Sequence, residues 1–130
     1  MRKISILITI CATLLTALSA RGESAKIKFD NTMHDFALVA EEDGRVSHDF
    51  QFTNTGDAAL VIFEVTTNCG CTVADYPQAP IAPGAQGKVT ITFDPKNNPG
   101  EFAKEIIVKS NAKKKKTRLH IKGMVMPRKQ

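Results

Sequence analysis

Two cysteines separated by one glycine are the residues of this sequence best suited to do chemistry. Cys69 and Cys71 flank Gly70, and in an extended chain their Cα atoms would lie about 6.6 Å apart on the same side. That spacing is near the upper limit for a disulfide, and a kink at Gly70 would shorten it. Three states stay open: a strained, easily reduced disulfide, a site for a soft metal such as Cu(I) or zinc, and two packed thiols.

A soft-metal site would need more ligands than the two cysteines. The three histidines, His34, His48 and His120, have no ligand-like spacing to one another. His120, Met124 and Met126 would share one face of the last strand, and imidazole and thioether groups suit Cu(I). A surface stripe on an edge strand explains the same pattern, and His48 fits a hydrogen-bonded histidine at a sandwich rim. We therefore expect no bound cofactor.

A run of four lysines gives the chain its one strongly basic segment. Lys113, Lys114, Lys115 and Lys116 lie between two predicted strands and should form a hairpin loop. Clustered ammonium groups attract anionic polymers, lipid headgroups and nucleic acid. No aromatic residue interleaves with the lysines to stack on bases, so the pattern favours a solvated loop and no specific nucleic-acid binding.

Catalytic patterns are absent from the sequence. It contains no glycine-rich phosphate loop, no His-Glu-x-x-His motif and no nucleophile elbow. Glu41, Glu42 and Asp43 precede Gly44 in a loop, where they would serve as solubilising turn residues. The sequence predicts a protein that is not an enzyme.

The first twenty residues have the pattern of a secretory signal. A positive start at Arg2 and Lys3 precedes the uncharged apolar segment 4–18, which is short for a membrane span of about 20 residues. Small residues follow, so cleavage is expected after Ser19 or Ala20, and Cys11 would leave with the signal. The predicted product is exported, periplasmic or secreted, and has no stable membrane span.

Composition limits what remains. The chain has 130 residues and a formal charge of +5, with 42% hydrophobic and 24% charged residues, which fits one folded domain. Removal of the signal lowers the charge to +3, so the basic character is local to the lysine run. Trp is absent and Tyr76 is the only tyrosine, which excludes a ligand pocket built from these residues.

Alternating apolar and polar residues predict an all-β domain. About seven short strands separated by turn residues span residues 26–125, and the apolar segment 60–65 suits a central strand. Each sheet would have one apolar face, so two antiparallel sheets should pack face to face as an immunoglobulin-like β-sandwich. The predicted organisation is a signal peptide (1–20), a linker (21–25), the sandwich domain (26–125) and a tail (126–130).

A series of short motifs carries a family resemblance. They are His34-Asp35-Phe36, Asn54-Thr55-Gly56, Cys69-Gly70-Cys71-Thr72, the segment 81–87 (IAPGAQG) and Ser110-Asn111. In this order they resemble the bacterial domain of unknown function 1573, which is related to the Hydin and ASPM type of immunoglobulin-like domain. Ala37 departs from the family, which usually has glycine there. The resemblance implies exported bacterial proteins with this fold and no established catalytic activity.

Two functions from different classes follow. The first is an exported, non-catalytic module that binds another macromolecule, a protein or an envelope polymer, or supports the cell envelope. The alternative is a periplasmic thiol-redox or soft-metal protein that works through Cys69-Gly70-Cys71.

Overall fold

Alternation of apolar and polar side chains produces eight strands in a computed structural model, which describes residues 23–129. The strands are Ile27–Phe29 (β1), Met33–Ala40 (β2), Val46–Asn54 (β3), Ile62–Thr67 (β4), Thr72–Asp75 (β5), Gln86–Phe93 (β6), Gly100–Ser110 (β7) and Lys116–Met126 (β8). The predicted signal peptide, residues 1–20, lies outside the described residues. Within residues 23–129, no helix has the length and apolar character needed to cross a membrane.

The eight strands form two four-stranded sheets. The first has the order β1-β3-β6-β5 and the second has the order β2-β8-β7-β4. The prediction of an all-β, immunoglobulin-like sandwich is confirmed. The expected count of about seven strands was one too low, and the expectation of purely antiparallel sheets was wrong, because β2 pairs with β8 in parallel.

The strand that the sequence did not reveal is β2. Its pairing with β8 shifts register between Asp35 and Leu38, and Ala37 has a φ of 59°. This bulge breaks the two-residue alternation by which strands are recognised. The Asp35 carboxylate accepts the Ala37 N–H at 2.8 Å and closes the bulge. Ala37 thus adopts the left-handed conformation that the family's usual glycine would adopt without strain.

Inward-facing side chains of both sheets fill the space between them. The Phe93 and Phe102 rings stack at 4.1 Å between centroids, one from each sheet, and Phe29 meets Phe52 edge to face. The largest side chains with almost no exposure are Phe50, Phe52, Leu60, Ile91, Phe93, Ile106, Leu119 and Ile121. Burial of each such side chain stabilises the fold by about 1.5–3 kcal/mol.

Two strands occupy positions in the sheets that differ from the positions expected from the sequence. Segment 60–65 was expected in a central strand, but β4 begins at Ile62 and forms an edge, with Phe63 exposed. Leu60 precedes β4 and forms an isolated bridge with Ile81, and its side chain is fully buried. Strand β8 was expected at an edge, but it lies between β2 and β7. Apolar content alone did not distinguish an edge from an interior strand.

Candidate functional site

The Cys-Gly-Cys segment forms the crossing between the two sheets. It connects β4, an edge of the second sheet, to β5, an edge of the first. Cys69 to Thr72 make a β-turn in which the Thr72 N–H donates to the Cys69 carbonyl at 3.2 Å. The Thr67 hydroxyl lies 3.2 Å from the carbonyl oxygens of both Cys69 and Thr72. The turn is therefore held from the strand on either side.

Cys69 and Cys71 are joined by a disulfide. Their Cα atoms are 5.2 Å apart, because the turn brings them closer than an extended chain would. Gly70 does not have a positive φ, and a Cβ placed on it would meet nothing within 4 Å. The expected kink is thus an ordinary turn that does not require glycine. A bridge across one residue restricts the unfolded chain little, contributing about 1.5 kcal/mol against about 4.7 kcal/mol for a 100-residue loop.

The surroundings of the two sulfurs differ. The Cys71 N–H donates to Cys69 Sγ at 3.2 Å, and both side chains are half-buried. A recess of about 180 Å³ opens beside Cys71; its lining comprises Arg45, Gly70, Cys71, Val73, Thr92 and Asp94. Arg45 Nε lies 3.6 Å from the Asp94 carboxylate, and the Asp94 N–H donates to the Cys71 carbonyl at 2.8 Å. Only Cys71 of the pair faces this recess.

The structure does not bring the candidate metal ligands together. His120 and Met126 are six residues apart on one strand, roughly 20 Å at 3.3 Å per residue. His120 Nε2 lies 3.4 Å from the Glu105 carboxylate instead. Among residues 23–129, no group of three or more His, Cys, Asp or Glu side chains could hold a metal ion. In this structure the sulfurs of Cys69 and Cys71 are bonded to each other.

Met124 and Met126 belong to an exposed apolar surface, which we call the methionine face. Its members are Leu38 (68% exposed), Met124 (37%) and Met126 (49%) on the outer side of β2 and β8; Met33 (54%) lies apart from them, beyond Asp35 and Lys122. Leu38 lies opposite Met124 in the parallel register. A groove of about 680 Å³ runs beside Leu38 and Met124, and its lining also includes Asp35, Glu101, Ala103 and Lys122. The sequence did not reveal β2, so it indicated Met124 and Met126 but not Leu38.

His34 and His48 form a stacked pair that sequence spacing did not indicate. Their rings are 3.7 Å apart between centroids at an interplanar angle of 9°. His34 comes from the second sheet and His48 from the first, at the rim where His48 was expected. Burial lowers the pKa of His48, and the neighbouring His34 lowers it further. In-plane ring nitrogens of parallel rings do not point at a common metal ion.

The lysine run lies at the turn between β7 and β8. Residues 113–115 are in the loop, and Lys116 begins β8. The Lys113 N–H donates to the Ala25 carbonyl at 3.0 Å, and Ala25 forms a buried bridge with Ala112. Lys113 and Lys114 line a recess of about 410 Å³ together with Lys26, Ile27 and Thr55. No aromatic side chain takes part in this lining.

Two asparagines support the same end of the sandwich, and the sequence showed them only as turn residues. Asn54 is fully buried, and its amide donates to the carbonyls of Ala58 and Ile81 at 2.8 and 2.9 Å. Its side-chain oxygen accepts the Gly56 N–H at 3.0 Å. Asn111 accepts the Val61 N–H at 2.8 Å through its side-chain oxygen. The family motifs that contain Asn54 and Asn111 therefore have structural roles here.

Glu41 has a structural role at the opposite end, where it was expected only to solubilise a turn. Its carboxylate accepts the N–H groups of Asn97 at 2.9 Å and Arg128 at 3.1 Å. These hydrogen bonds, that of Asn97 first, lower the pKa of Glu41. It thereby connects the β2–β3 turn to the β6–β7 loop and to the C-terminal segment.

Comparisons with known proteins agree with this architecture. No curated protein matches the chain. A protein of unknown function from Porphyromonas gingivalis matches with a TM-score of 0.71 and 20% identity over 85% of this chain and 51% of that one. The chain thus spans about half the length of that relative.

Two further solved structures are similar. The ASH / PapD-like domain 7 of human CEP192 has a TM-score of 0.65 and 13% identity, over 93% of this chain and 99% of that one. The Escherichia coli chaperone DraB has a TM-score of 0.54 and 13% identity, over 79% and 55%. At these identities the likeness shows the fold alone. The family described as "Protein of unknown function (DUF1573)" matches residues 27–125, and the chain belongs to that family.

Proposed function

We propose that this protein is an exported, non-catalytic module that binds another protein through the methionine face. The observation that carries this proposal is the grouping of Leu38, Met124 and Met126 on neighbouring strands. Large apolar side chains exposed together favour a binding surface, whereas scattered ones need no explanation. Methionine adapts its shape to different partners, which suits a protein-binding surface.

The residues that line the groove indicate which kind of partner segment would bind there. Leu38, Met124 and Ala103 make its apolar part, while Asp35 and Glu101 outnumber Lys122 among its charged lining residues. An anchor with a large apolar side chain next to a basic one would match both features. The expected occupant is therefore a protein segment that carries such a pair.

Binding through a face agrees with the state of the sheet edges. The edge strands β1 and β5 have three and four residues, and the edge strands β2 and β4 are each interrupted by a shift in register. Short or bulged edges disfavour the addition of a strand from another chain. The comparisons include a protein named as a chaperone, which supports protein binding as a use of this fold. Export is supported by the signal-like pattern of residues 1–20.

Methionine methyl resonances would test this proposal directly. The probe is a set of short peptides in which leucine or phenylalanine adjoins arginine, with twin peptides that carry glutamate instead. We expect the basic peptides to shift the methyl signals of Met124 and Met126, and Leu38→Glu with Met124→Glu to weaken binding at least tenfold.

Phe63→Glu and Val73→Glu provide the matched control. These side chains are 61% and 60% exposed and lie on β4 and β5, outside the methionine face. Binding should survive both substitutions. Equal binding of acidic and basic peptides, equal loss in the control variants, or binding of purified peptidoglycan in place of the peptides would each contradict the proposal.

A further inference from the structure

We propose that the Cys69–Cys71 disulfide is a thiol–disulfide exchange site, at which a partner dithiol attacks Cys71 and Cys69 leaves as the thiolate. The site lies at the β4–β5 crossing and does not involve the methionine face. Its chemistry is therefore independent of the binding function proposed above.

The hydrogen bond between the two cysteines distinguishes the leaving sulfur. The Cys71 N–H already points at Cys69 Sγ, at 3.2 Å. A backbone N–H that donates to sulfur stabilises the thiolate, and the thiol with the more stable thiolate leaves faster in exchange. The Thr72 hydroxyl lies farther from Cys71 Sγ, at 3.8 Å. Cys69 is therefore the better leaving group.

The accessibility of the two sulfurs likewise indicates that Cys71 is the sulfur that is attacked. The recess of about 180 Å³ is lined by Cys71 and Gly70, and Cys69 does not contribute to it. Gly70 is exposed and has no side chain to cover the pair. The Arg45 side chain, 70% exposed, lies at this recess and would attract an anionic thiolate. An incoming thiolate therefore reaches Cys71 first.

The turn that carries the disulfide is held independently of the S–S bond. Thr67 contacts the carbonyl oxygens of Cys69 and Thr72, and the Asp94 N–H donates to the Cys71 carbonyl. None of these contacts involves a sulfur atom, so reduction does not remove them. The two thiols stay close enough to be reoxidised, which a reversible exchange site requires.

The reaction balances with a dithiol as the reductant. The first partner thiolate attacks Cys71 Sγ, the S–S bond breaks, and Cys69 leaves with the electron pair. The second partner thiolate then attacks the partner sulfur of the mixed disulfide and releases Cys71. The partner is oxidised to a disulfide, this protein gains two electrons, and the two protons of the partner thiols pass through water to Cys69 and Cys71.

Mixed-disulfide mapping tests which sulfur is attacked. The full chain is treated with reduced glutathione, quenched with acid, and digested for mass measurement. We expect glutathione on Cys71 at least ten times as often as on Cys69. Equal labelling, or a preference for Cys69, would overturn the assignment.

Single-cysteine variants test the hydrogen bond separately. Cys69 in Cys71→Ser keeps the N–H of residue 71, whereas Cys71 in Cys69→Ser has the more distant Thr72 hydroxyl, at 3.8 Å. We expect the ultraviolet absorbance of the thiolate to appear at a pH lower by about half a unit for Cys69 than for Cys71, with circular dichroism showing that both variants are folded. Equal pH midpoints, or a lower midpoint for Cys71, would contradict the proposed leaving group.

Two arginine variants test the recess. Arg45 and Arg118 both pair with a carboxylate at the surface, at 3.6 and 3.3 Å, but Arg118 lies on the outer side of β8. Arg45→Gln should slow exchange with glutathione at least threefold, and Arg118→Gln should leave the rate unchanged. Equal effects of the two substitutions on the rate would show that the recess does not contribute to exchange.

Discussion

The two ends of the sandwich use polar residues in opposite ways. At the amide end, where β3 and β7 finish, Asn54 is fully buried and Asn111 half-buried, and both hydrogen-bond to backbone groups of neighbouring loops. At the cysteine end, where β4 and β6 finish, Arg45 and Asp94 are charged and retain exposure next to the disulfide. The two asparagines of the amide end, where the exposed lysine run also lies, bind backbone groups within the fold, whereas the charged pair of the cysteine end stays accessible.

This difference indicates that the family motifs at the amide end serve stability, whereas the motif at the cysteine end is accessible to a reactant. A buried amide with satisfied hydrogen bonds contributes mainly to folding, because its partners would be left unpaired without it. A half-exposed disulfide across one residue restrains little chain but can be reached by a thiolate. Motifs at both ends resemble those of the family, so resemblance alone does not identify the reactive one.

Removal of the Asn54 amide should have the largest effect on stability. Asn54→Ala leaves the Ala58 carbonyl and the Gly56 N–H without this partner and removes one of the two donors to the Ile81 carbonyl, so we expect the free energy of unfolding to fall by about 3 kcal/mol. Urea denaturation measures it. The control is Asn98→Ala near the cysteine end, where the amide bonds only within its own loop and the loss should stay below about 1 kcal/mol. Equal losses of stability in the two variants would contradict the difference between the two ends.

A second prediction compares one glycine from each end. A Cβ on Gly56 would collide with the backbone of Ser24 and Lys26, so Gly56→Ala should lower the free energy of unfolding by about 1–3 kcal/mol. A Cβ on Gly70 meets nothing within 4 Å, so Gly70→Ala should change it by less than about 1 kcal/mol, toward greater stability. Thermal unfolding of both variants checks this. A large loss in Gly70→Ala would show that the cysteine turn is as tightly constrained as the amide end.

The smallest expected effect is a local response to acid. The pKa of Glu41 is lowered in the folded state, mainly by the Asn97 N–H and then by that of Arg128. The stability from these bonds is therefore complete above the usual pKa of glutamate and is lost as pH falls through the lowered folded-state value. Asn54 and Asn111 do not titrate in this range, so the cysteine end should loosen first.

Amide chemical shifts resolve this response residue by residue. The Asn97 and Arg128 signals should move as Glu41 takes up a proton, while the signal of Val61, whose N–H donates to Asn111, should not. Glu41→Gln should abolish the movement, and Glu42→Gln should preserve it. Movement that persists in Glu41→Gln would assign the acid response to another group.

Alternation predicted the fold class because it reports which side chains face a core. The pattern of β3 and β6 is regular, and both strands pair as their alternation requires. The bulge at Ala37 concealed β2, and with it the parallel pairing to β8 and the contribution of Leu38 to the methionine face. The His34–His48 pair was also not predicted, because its two residues come from different sheets and their spacing along the chain does not indicate contact.

By itself, the sequence determined the all-β class and the proximity of Cys69 to Cys71, because alternation and a spacing of two residues are local properties of the chain. Tertiary structure alone decided which strands lie at edges, which sulfur adjoins the recess, and which asparagine is buried. Those properties depend on contacts between residues far apart in the chain, such as Arg45 with Asp94 and Asn54 with Ile81. No local pattern encodes such contacts, because each one exists only after the two sheets have packed.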